Sequence, residues 1–406
     1  MVQVSPSQEK SIVLVTVSGH DAPGITAELT GILAENGVTI LDIGQAVIHH
    51  LLSLSILFEM TATADKKVIK DLLFKATEMG MKLDFRVMET SKIAREQIAP
   101  KAYRYAVTLI ASAISARALH QVTAVMARNQ VNIDVIERLS EGEFSCVEML
   151  ISTSEELDRT ALKTELLVIA KKQGVDIALQ AEGLYRRAKR MVVLDMDSTL
   201  IQSEVIDEFA RELGVYDEVS AITHAAMGGK MEFDESIQLR CAKLKGLTSE
   251  QIEKVYARIQ LTSGAEDLIQ ILRKLGYKTA LISGGFTCIA DRLRARLGID
   301  FAYANVLEME KGRATGRVLP PIVNAQRKAD LLDVIAQQER IHLDQVIAIG
   351  DGANDLLMLE KAGLGIAFNA KPVVSEKAEF ALSQRNLRSI LYLLGISGRD
   401  LADLLV

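Results

Sequence analysis

The sequence has few cysteines, little net charge and no long hydrophobic run, and each of these shortages excludes a class of protein. Its three cysteines, Cys146, Cys241 and Cys288, are widely spaced and form no CxxC pair, so we expect reduced thiols rather than disulfides or a zinc site. The 47 basic and 53 acidic residues give a net charge of −6, which argues against a nucleic-acid or anionic-membrane partner. No run of 18 uncharged apolar residues is present and residues 1–10 are polar, so we expect no membrane segment or signal peptide and a cytoplasmic location.

The chain is long and apolar enough to build more than one hydrophobic core. It has 406 residues, of which 49% are hydrophobic and 25% charged, a balance typical of soluble globular proteins. Because domains usually contain about 100–200 residues, we expect two or three of them. The six histidines show no metal-ligand spacing, and we interpret them as structural or, for His224, as part of the surface of the helical block at 202–260.

Two stretches, 10–90 and 102–182, follow the same predicted order of strands and helices. Each is predicted as β-α-β-β-α-β, the order of a ferredoxin-like fold. In both copies the first helix ends in a polar turn before a strand with an early aspartate, NGVTILD at 36–42 and NQVNID at 129–134. These turns lie 93 positions apart, which indicates an internal duplication.

The rest of the chain predicts a different architecture. Residues 183–190 are polar and basic, and we interpret them as a solvent-exposed linker rather than a nucleic-acid patch. Over 191–406 strand and helix patterns alternate, which indicates an α/β domain with a parallel sheet and right-handed crossovers. A helical block at 202–260 follows the first strand, and we predict that it forms a cap at the ligand-binding edge of the sheet.

The most informative stretch is MVVLDMDSTL at 191–200. Four apolar residues run into Asp195 and Asp197, which predicts a buried strand whose carboxyl end presents two acids where open α/β sheets bind ligands. The same pattern is also typical of an ordinary capped turn. Three more polar clusters follow at predicted strand ends or helix starts: Ser283-Gly284, Lys328, and GDGAND at 350–355. Each alone can be a turn, but all four in this order favour an active site.

This series of DxDST, SGG, Lys and GDGAND resembles the haloacid dehalogenase superfamily over residues 191 to about 394, and within it the phosphoserine phosphatases. The resemblance implies a Rossmann-like parallel-sheet core with a helical cap. It also implies hydrolysis of O-phospho-L-serine to L-serine and phosphate through an aspartyl-phosphate, as the last step of serine biosynthesis.

The resemblance also implies roles for individual residues. Asp195 is the expected nucleophile and Asp197 the expected general acid and base. A phosphate dianion beside these acids would be repelled unless a cation intervened, and hard oxygen ligands suit Mg²⁺. The expected ligands are Asp195, the main-chain carbonyl of Asp197, and Asp351, with Asp355 in support. The other core residues expected to bind substrate are Ser283, Gly284, Lys328 and Asn354.

The cap is expected to recognise the amino-acid part of the substrate. Phosphoserine carries an ammonium and a carboxylate, so one acid and one base are needed, and Glu204 and Arg240 occupy the family's positions for them. Arginine can hold a carboxylate through two hydrogen bonds. Without the resemblance, Glu204 can equally be a first-turn helix acid and Arg240 a surface residue. Met227 and Phe233 are expected to wall the pocket, or otherwise to belong to the cap core.

The loop GHDAPGI at 19–25 resembles the ligand loop of the ACT family of amino-acid-sensing domains. This resemblance implies regulation at Asp21 and Gly24, with L-serine as a hypothetical effector, although such a loop can also be an ordinary turn. The second copy has SAISAR at 112–117, without the proline and glycine, which leaves its ligand-binding role open. ACT domains usually pair across a two-fold axis, so a homodimer is expected.

Two other functions stay open at this point. The chain could be a phosphatase for another small phosphomonoester, or an amino-acid-sensing binding protein with a vestigial phosphatase domain. The predicted catalytic positions are all filled, which argues against the second alternative. The sequence does not indicate what residues 386–406 do.

Overall fold

The computed structural model describes residues 10–61, 65–88, 103–140, 144–227 and 231–405. The contacts divide the chain into two units, Met1–Lys101 and Ala102–Val406, and each is described by itself. Within the described ranges, no helix has both the length and the apolar character that crossing a membrane requires.

The first unit is a two-layer α/β domain with an antiparallel sheet in the order β2-β3-β1-β4. Its elements are β1 (Lys10–His20), α1 (Ile25–Glu35), β2 (Thr39–Ile48), β3 (Leu51–Thr61), α2 (Asp65–Glu78) and β4 (Lys82–Met88). Alternate residues of β1, Val13, Val15 and Val17, are buried, because successive strand side chains point to opposite faces of the sheet. The predicted ferredoxin-like order is confirmed.

The second unit begins with the same fold, its sheet running in the order β6-β7-β5-β8. The elements are β5 (Tyr103–Ala111), α3 (Ala116–Arg128), β6 (Asn132–Arg138), β7 (Ser145–Thr153), α4 (Arg159–Gln173) and β8 (Asp176–Ala181). Ser115 and Asp158 cap the two helices by accepting hydrogen bonds from main-chain N–H groups of the first turn, which satisfies donors that have no partner within the helix. The predicted duplication is therefore present in the fold.

A seven-stranded sheet follows, in the order β12-β11-β10-β9-β13-β14-β15. Its strands are β9 (Met191–Leu194), β10 (Lys278–Phe286), β11 (Phe301–Glu310), β12 (Arg313–Leu319), β13 (Val346–Gly350), β14 (Leu364–Phe368) and β15 (Phe380–Leu382). All pairs are parallel except β11 with β12. The four residues of β9 are fully buried, and this strand lies between β10 and β13, so its carboxyl end opens at the middle of the sheet edge.

The helices of this part fall into a cap and a core set. The cap helices between β9 and β10 are α6 (Val205–Leu213), α7 (Tyr216–Met227), α8 (Phe233–Lys243) and α9 (Ser249–Arg258). The others are α5 (Leu184–Arg187), α10 (Ala265–Lys274), α11 (Thr287–Leu297), α12 (Ala325–Gln338), α13 (Leu356–Lys361), α14 (Pro372–Lys377), α15 (Ile390–Leu393) and α16 (Gly398–Leu405). The predicted α/β fold with a helical cap insert is confirmed.

The second ferredoxin-like domain and the parallel-sheet domain share one hydrophobic core. Ile110, Cys146 and Ala178 are buried in the same cluster as residues of β9 and β10. The segment 183–190 that joins the two domains is also packed: Arg186 is buried and pairs with Glu148, and the buried Lys189 donates from Nζ to a main-chain oxygen at 2.6 Å. The expectation of a solvent-exposed linker is therefore wrong for these two side chains, while the domain bounds themselves stay a prediction.

Candidate active site

Asp195 lies at the carboxyl end of the central strand, where contacts hold both its main chain and its carboxylate. Its N–H donates to the Ile349 carbonyl of β13 at 2.9 Å. Its carboxylate Oδ1 accepts from the Met196 N–H at 2.7 Å and lies 2.8 Å from the Lys328 ammonium. The backbone then turns through Ser198, whose φ of 55° is in the left-handed region and costs free energy for a non-glycine residue. The sharp turn directs the DxDST side chains toward the sheet edge.

Lys328 is the fully buried cation of the site. Its Nζ lies 2.8 Å from Asp195 and 2.7 Å from Asp355, and the side chain has no solvent exposure. Burial lowers the pKa of Lys328, but the two carboxylates outweigh burial and raise it above its ordinary value. The ammonium is therefore charged at neutral pH and joins acids from two distant parts of the sequence.

Three acids, Asp195, Asp351 and Asp355, bring ligand oxygens within 4.8 Å of one another, and this is the one such cluster within the described ranges that could hold a metal ion. Thr199 Oγ1 donates to Asp351 at 3.0 Å, and the Gly352 N–H donates to Asp355 at 2.9 Å. Burial and then the Asp355 charge raise the pKa of Asp195 to about 8 and of Asp351 to about 7. Three acids facing one lysine form an oxygen-rich site with excess negative charge, which a hard divalent cation fits.

Asp197 combines a strongly raised pKa with a position between core and cap. Burial raises its pKa well above the ordinary value, and the charges of Glu204 and Asp195 raise it further. Its Oδ1 accepts a hydrogen bond from the Val205 N–H at the start of the cap, at 3.1 Å. Asp197 therefore binds a proton more readily than an ordinary aspartate does.

The SGG loop at the end of β10 completes the core side of the site. Ser283 is buried, and its Oγ accepts from the Gly285 N–H at 2.9 Å. The fully buried Asn305 holds the loop, because its Nδ2 donates to the Gly284 carbonyl at 2.8 Å while its Oδ1 accepts from the Val323 N–H at 2.8 Å. Sequence reasoning missed Asn305 because it lies in β11 with no neighbouring motif.

The cap places Phe233 and Glu204 beside this core. A Cβ atom at Gly284 would lie 3.2 Å from Cζ of Phe233, so the ring packs directly over the glycine. Glu204 accepts a hydrogen bond from the Ser198 hydroxyl at 2.8 Å. Burial lowers the pKa of Arg240, opposed by nearby acids that include Glu204 and Asp197, so the arginine lies within their electrostatic reach.

Two further predicted residues are placed less closely. Met227 is the last residue of α7, and its side chain lies outside the description. Asn354 lies beside Gly352, where its Oδ1 would be 2.1 Å from an added Cβ. Asn354 therefore lines the same loop as Asp351 and Asp355.

The predicted regulatory residues lie in the first unit. The Asp21 N–H donates to the His50 carbonyl at 2.8 Å, and Gly24 adopts a φ of 100° directly before α1. The rings of His20 and His50 stack with centroids 6.2 Å apart, a pairing that the scattered histidines of the sequence did not indicate. Asp21 and Gly24 are exposed, so this loop is open to solvent within its unit.

Models of known families match three parts of the chain. Two ACT domains match at residues 11–86 and 104–180, and a haloacid dehalogenase-like hydrolase matches at residues 189–363. A solved haloacid dehalogenase family hydrolase from Salmonella enterica serovar Typhi superposes with a TM-score of 0.64 at 30% identity, covering 71% of this chain and 98% of its own. The matches agree with both resemblances found in the motifs.

Relatives that extend over nearly the whole chain decide the family. The chain is 42% identical over 401 residues to "Phosphoserine phosphatase" of Streptomyces coelicolor, covering 98% of this chain and 96% of the relative. It is 38% identical over 389 residues to "Phosphoserine phosphatase SerB2" of Mycobacterium tuberculosis, covering 96% and 94%. The chain belongs to the phosphoserine phosphatase family. A solved "probable phosphoserine phosphatase" from Vibrio cholerae superposes with a TM-score of 0.58 at 32% identity, covering 73% of this chain and 88% of its own.

Proposed function

We propose that this phosphoserine phosphatase family member hydrolyses O-phospho-L-serine to L-serine and phosphate through an aspartyl-phosphate on Asp195, as the last step of serine biosynthesis. The observation that carries the proposal is the buried Asp195 carboxylate, held between Lys328 and the neighbouring acids at the end of the central strand. No core packing requires such a costly group of charges. Its location is the edge at which open parallel sheets bind ligands.

In the first half of the reaction, an oxygen of the Asp195 carboxylate attacks phosphorus. A new O–P bond forms while the P–O bond to serine breaks. The departing serine oxygen takes the proton of Asp197, whose raised pKa keeps that proton available. The Lys328 ammonium and the donors of Ser283 and Gly284 stabilise the charge on the transferring phosphoryl oxygens.

In the second half, water attacks the phosphorus of the aspartyl-phosphate. Asp197, now a carboxylate, removes a proton from this water. The P–O bond to Asp195 breaks, which restores the carboxylate and releases inorganic phosphate. Asp197 thus donates a proton in the first half of the reaction and accepts one in the second, so the protein returns to its starting state.

Mg²⁺ is the proposed cofactor, held by Asp195, the main-chain carbonyl of Asp197, and Asp351, with Asp355 in support. The donors are hard oxygens clustered within 4.8 Å, as this ion prefers. When bound, it supplies positive charge that keeps these acids ionised and offsets the charge of the phosphate. Asn354 supports the loop that carries Asp351.

Recognition of the serine part is assigned to the cap. Arg240 is proposed to bind the substrate carboxylate and Glu204 its ammonium, with Phe233 and Met227 forming the apolar wall. Charge complementarity supports this assignment, because the acid and the base lie within each other's electrostatic reach. Phe233 packs on Gly284, which supports a wall beside the loop proposed to bind the phosphate.

The deciding experiment is phosphate release from O-phospho-L-serine, measured with Mg²⁺ and after its removal by a chelator. We expect activity that is lost on chelation and restored by Mg²⁺. Asp195→Asn is expected to abolish both turnover and labelling of the protein by substrate phosphate, whereas Asp403→Asn, on the exposed side of α16, should leave both unchanged. Full turnover by Asp195→Asn would refute the covalent route.

We also propose that L-serine binds the first ACT domain near Asp21 and Gly24 and regulates activity. The exposed loop before α1 supports this, because ligand loops have to be open to solvent. Calorimetry with millimolar L-serine should detect binding that Asp21→Ala weakens and that Glu35→Ala, at the other end of α1, does not. Absence of both binding heat and any change in activity would reject the effector.

A cytoplasmic homodimer formed through the ACT domains is the proposed assembly. Every residue of the edge strand β2 is exposed, including Ile43 and Val47 at 47% and 46%, and an apolar edge strand is a surface for pairing with another chain. Light scattering should give twice the chain mass, and Ile43→Lys should shift it toward the monomer. A monomeric unmodified protein at micromolar concentration would overturn this arrangement, and cell fractionation tests the location.

A further inference from the structure

One side chain, Asn324, joins the phosphatase core to the cap. Its Oδ1 accepts from the Arg327 N–H at 3.0 Å and so caps α12. Its Nδ2 donates to both carboxylate oxygens of Asp234, at 3.0 and 3.3 Å. Asp234 is in the first turn of cap helix α8. The same amide therefore holds the start of a core helix and the start of a cap helix.

The residue type at position 324 is informative. Aspartate, serine and threonine cap helices about as well as asparagine, so capping alone does not require an amide. Among these side chains only asparagine accepts the capping bond with one atom and donates through another. The donor points at a carboxylate, which makes the bond stronger than one between neutral groups.

The two ends of this contact carry residues of the proposed site. Lys328, paired with Asp195, lies one helical turn after Asn324 on α12. Phe233, which precedes Asp234, packs on Gly284 of the phosphate-binding loop, and Arg240 lies further along α8. We infer that the Asn324–Asp234 hydrogen bond is a latch that holds the cap closed over bound substrate. Both side chains are positioning residues, and the inference rests on the proposed function.

A simpler role for Asp234 is that of an acid which stabilises the first turn of α8 through the helix dipole. The neighbouring Glu235 provides a matched control, because it lies in the same first turn and is also exposed. Glu235→Ala removes the same dipole interaction while leaving the latch intact. Asp234→Ala removes the acceptor of the latch together with the charge, whereas an asparagine at 234 would still accept from Asn324 through its amide oxygen. Asp234→Ala and Glu235→Ala should therefore behave alike under the simpler role and differently if the latch operates.

The kinetic test compares single variants with a double variant in which the residue types at positions 234 and 324 are exchanged. Asn324→Asp keeps the cap of α12 but removes the donor and places two carboxylates, at 324 and 234, next to each other. We therefore expect the KM for O-phospho-L-serine to rise about fivefold while kcat stays within twofold. In the double variant that combines Asp234→Asn with Asn324→Asp, the amide at 234 donates to the carboxylate at 324, so the hydrogen bond is restored in the opposite direction. This double variant should return KM to within twofold of the unmodified protein, and Glu235→Ala should not change it.

Hydrogen exchange gives a readout that needs no substrate. Main-chain amides of α8 should exchange severalfold faster in Asn324→Asp and recover in the double variant, while the unfolding midpoint stays constant. If the unmodified protein releases no phosphate from O-phospho-L-serine, the proposed function fails and hydrogen exchange alone decides the latch. Unchanged exchange in Asn324→Asp, or no recovery of exchange and KM in the double variant, would overturn the inference.

Discussion

Gly285 offers the sharpest test of how tightly the proposed proton donor is positioned. Its φ is not in the left-handed region, so the backbone accepts alanine, but an added Cβ would lie 2.7 Å from Oδ2 of Asp197 and 2.5 Å from Cε of Met196. Ser283 Oγ would be 3.1 Å away. Gly285→Ala therefore places one methyl group against the Asp197 carboxylate and against the Ser283 hydroxyl, which is proposed to bind phosphate.

The size of the effect follows from these distances. Ordinary van der Waals contact begins at 3.4 Å, so the Asp197 oxygen has to move by about 0.7 Å, a displacement at which misplaced catalytic groups lose on the order of 100-fold in rate. We expect kcat to fall by about this factor. Because the crowded atoms are the ends of side chains, the unfolding midpoint should fall by only about 2–4 °C.

The assay is steady-state phosphate release from O-phospho-L-serine, with Gly31→Ala as control. Gly31 lies in α1 and nothing lies within 4 Å of an added Cβ there, so its kcat should stay within twofold. With p-nitrophenyl phosphate the leaving group needs little protonation, so the loss in Gly285→Ala should be smaller. Normal kcat with O-phospho-L-serine would refute the assignment of Asp197 as a closely positioned acid.

Three further outcomes are expected. Arg240→Ala should raise the KM for O-phospho-L-serine about 100-fold but leave the KM for O-phosphoethanolamine, which lacks the carboxylate, unchanged. An equal rise in both KM values would contradict the proposed role of Arg240. Burial lowers the pKa of Lys189 to about 8, so between pH 8 and the ordinary lysine pKa of 10.5 the unfolded chain binds more protons than the folded one. The unfolding midpoint of the unmodified protein should therefore rise with pH relative to that of Lys189→Met. A difference between the two midpoints that stays constant with pH would contradict this. Burial raises the thiol pKa to about 12 at Cys146 and Cys241 and about 11 at Cys288, so iodoacetamide at pH 7.5 should label the folded protein far more slowly than the unfolded one.

Local patterns were sufficient to predict most of the fold. The alternating residues of β1 and the apolar run of β9 each report burial by their own spacing, and the repeated turns at Asn36 and Asn129 reveal the duplication. The core of the candidate site was equally predictable, because Asp195 and Asp351 follow apolar strands whose carboxyl ends share one edge of the sheet. The structure brings these acids together with Lys328, as the order of motifs implied.

Features that depend on distant partners were not predictable. β15, at Phe380–Leu382, is too short to show a period, and it forms only because β14 offers a parallel edge. Arg186 carries a charge typical of a solvated surface, yet it is buried because Glu148 of β7 provides a counter-charge. Asn305 and Asn324 act through bonds to segments remote in sequence, which no single window of residues contains.

The packing between the second ACT domain and the phosphatase sheet bears on what this domain does. Its sheet gives Ile110, Cys146 and Ala178 to the core that surrounds β9, and Asp176 at the start of β8 accepts three hydrogen bonds from Ser383 and Gln384, which follow β15. A face committed to packing on the phosphatase sheet is not free to bind a partner or a ligand. The loop of this copy also lacks the proline and glycine present in the first copy. Both observations favour a structural role for the second copy, as part of the structure that carries the active site, and the first copy stays the proposed effector site.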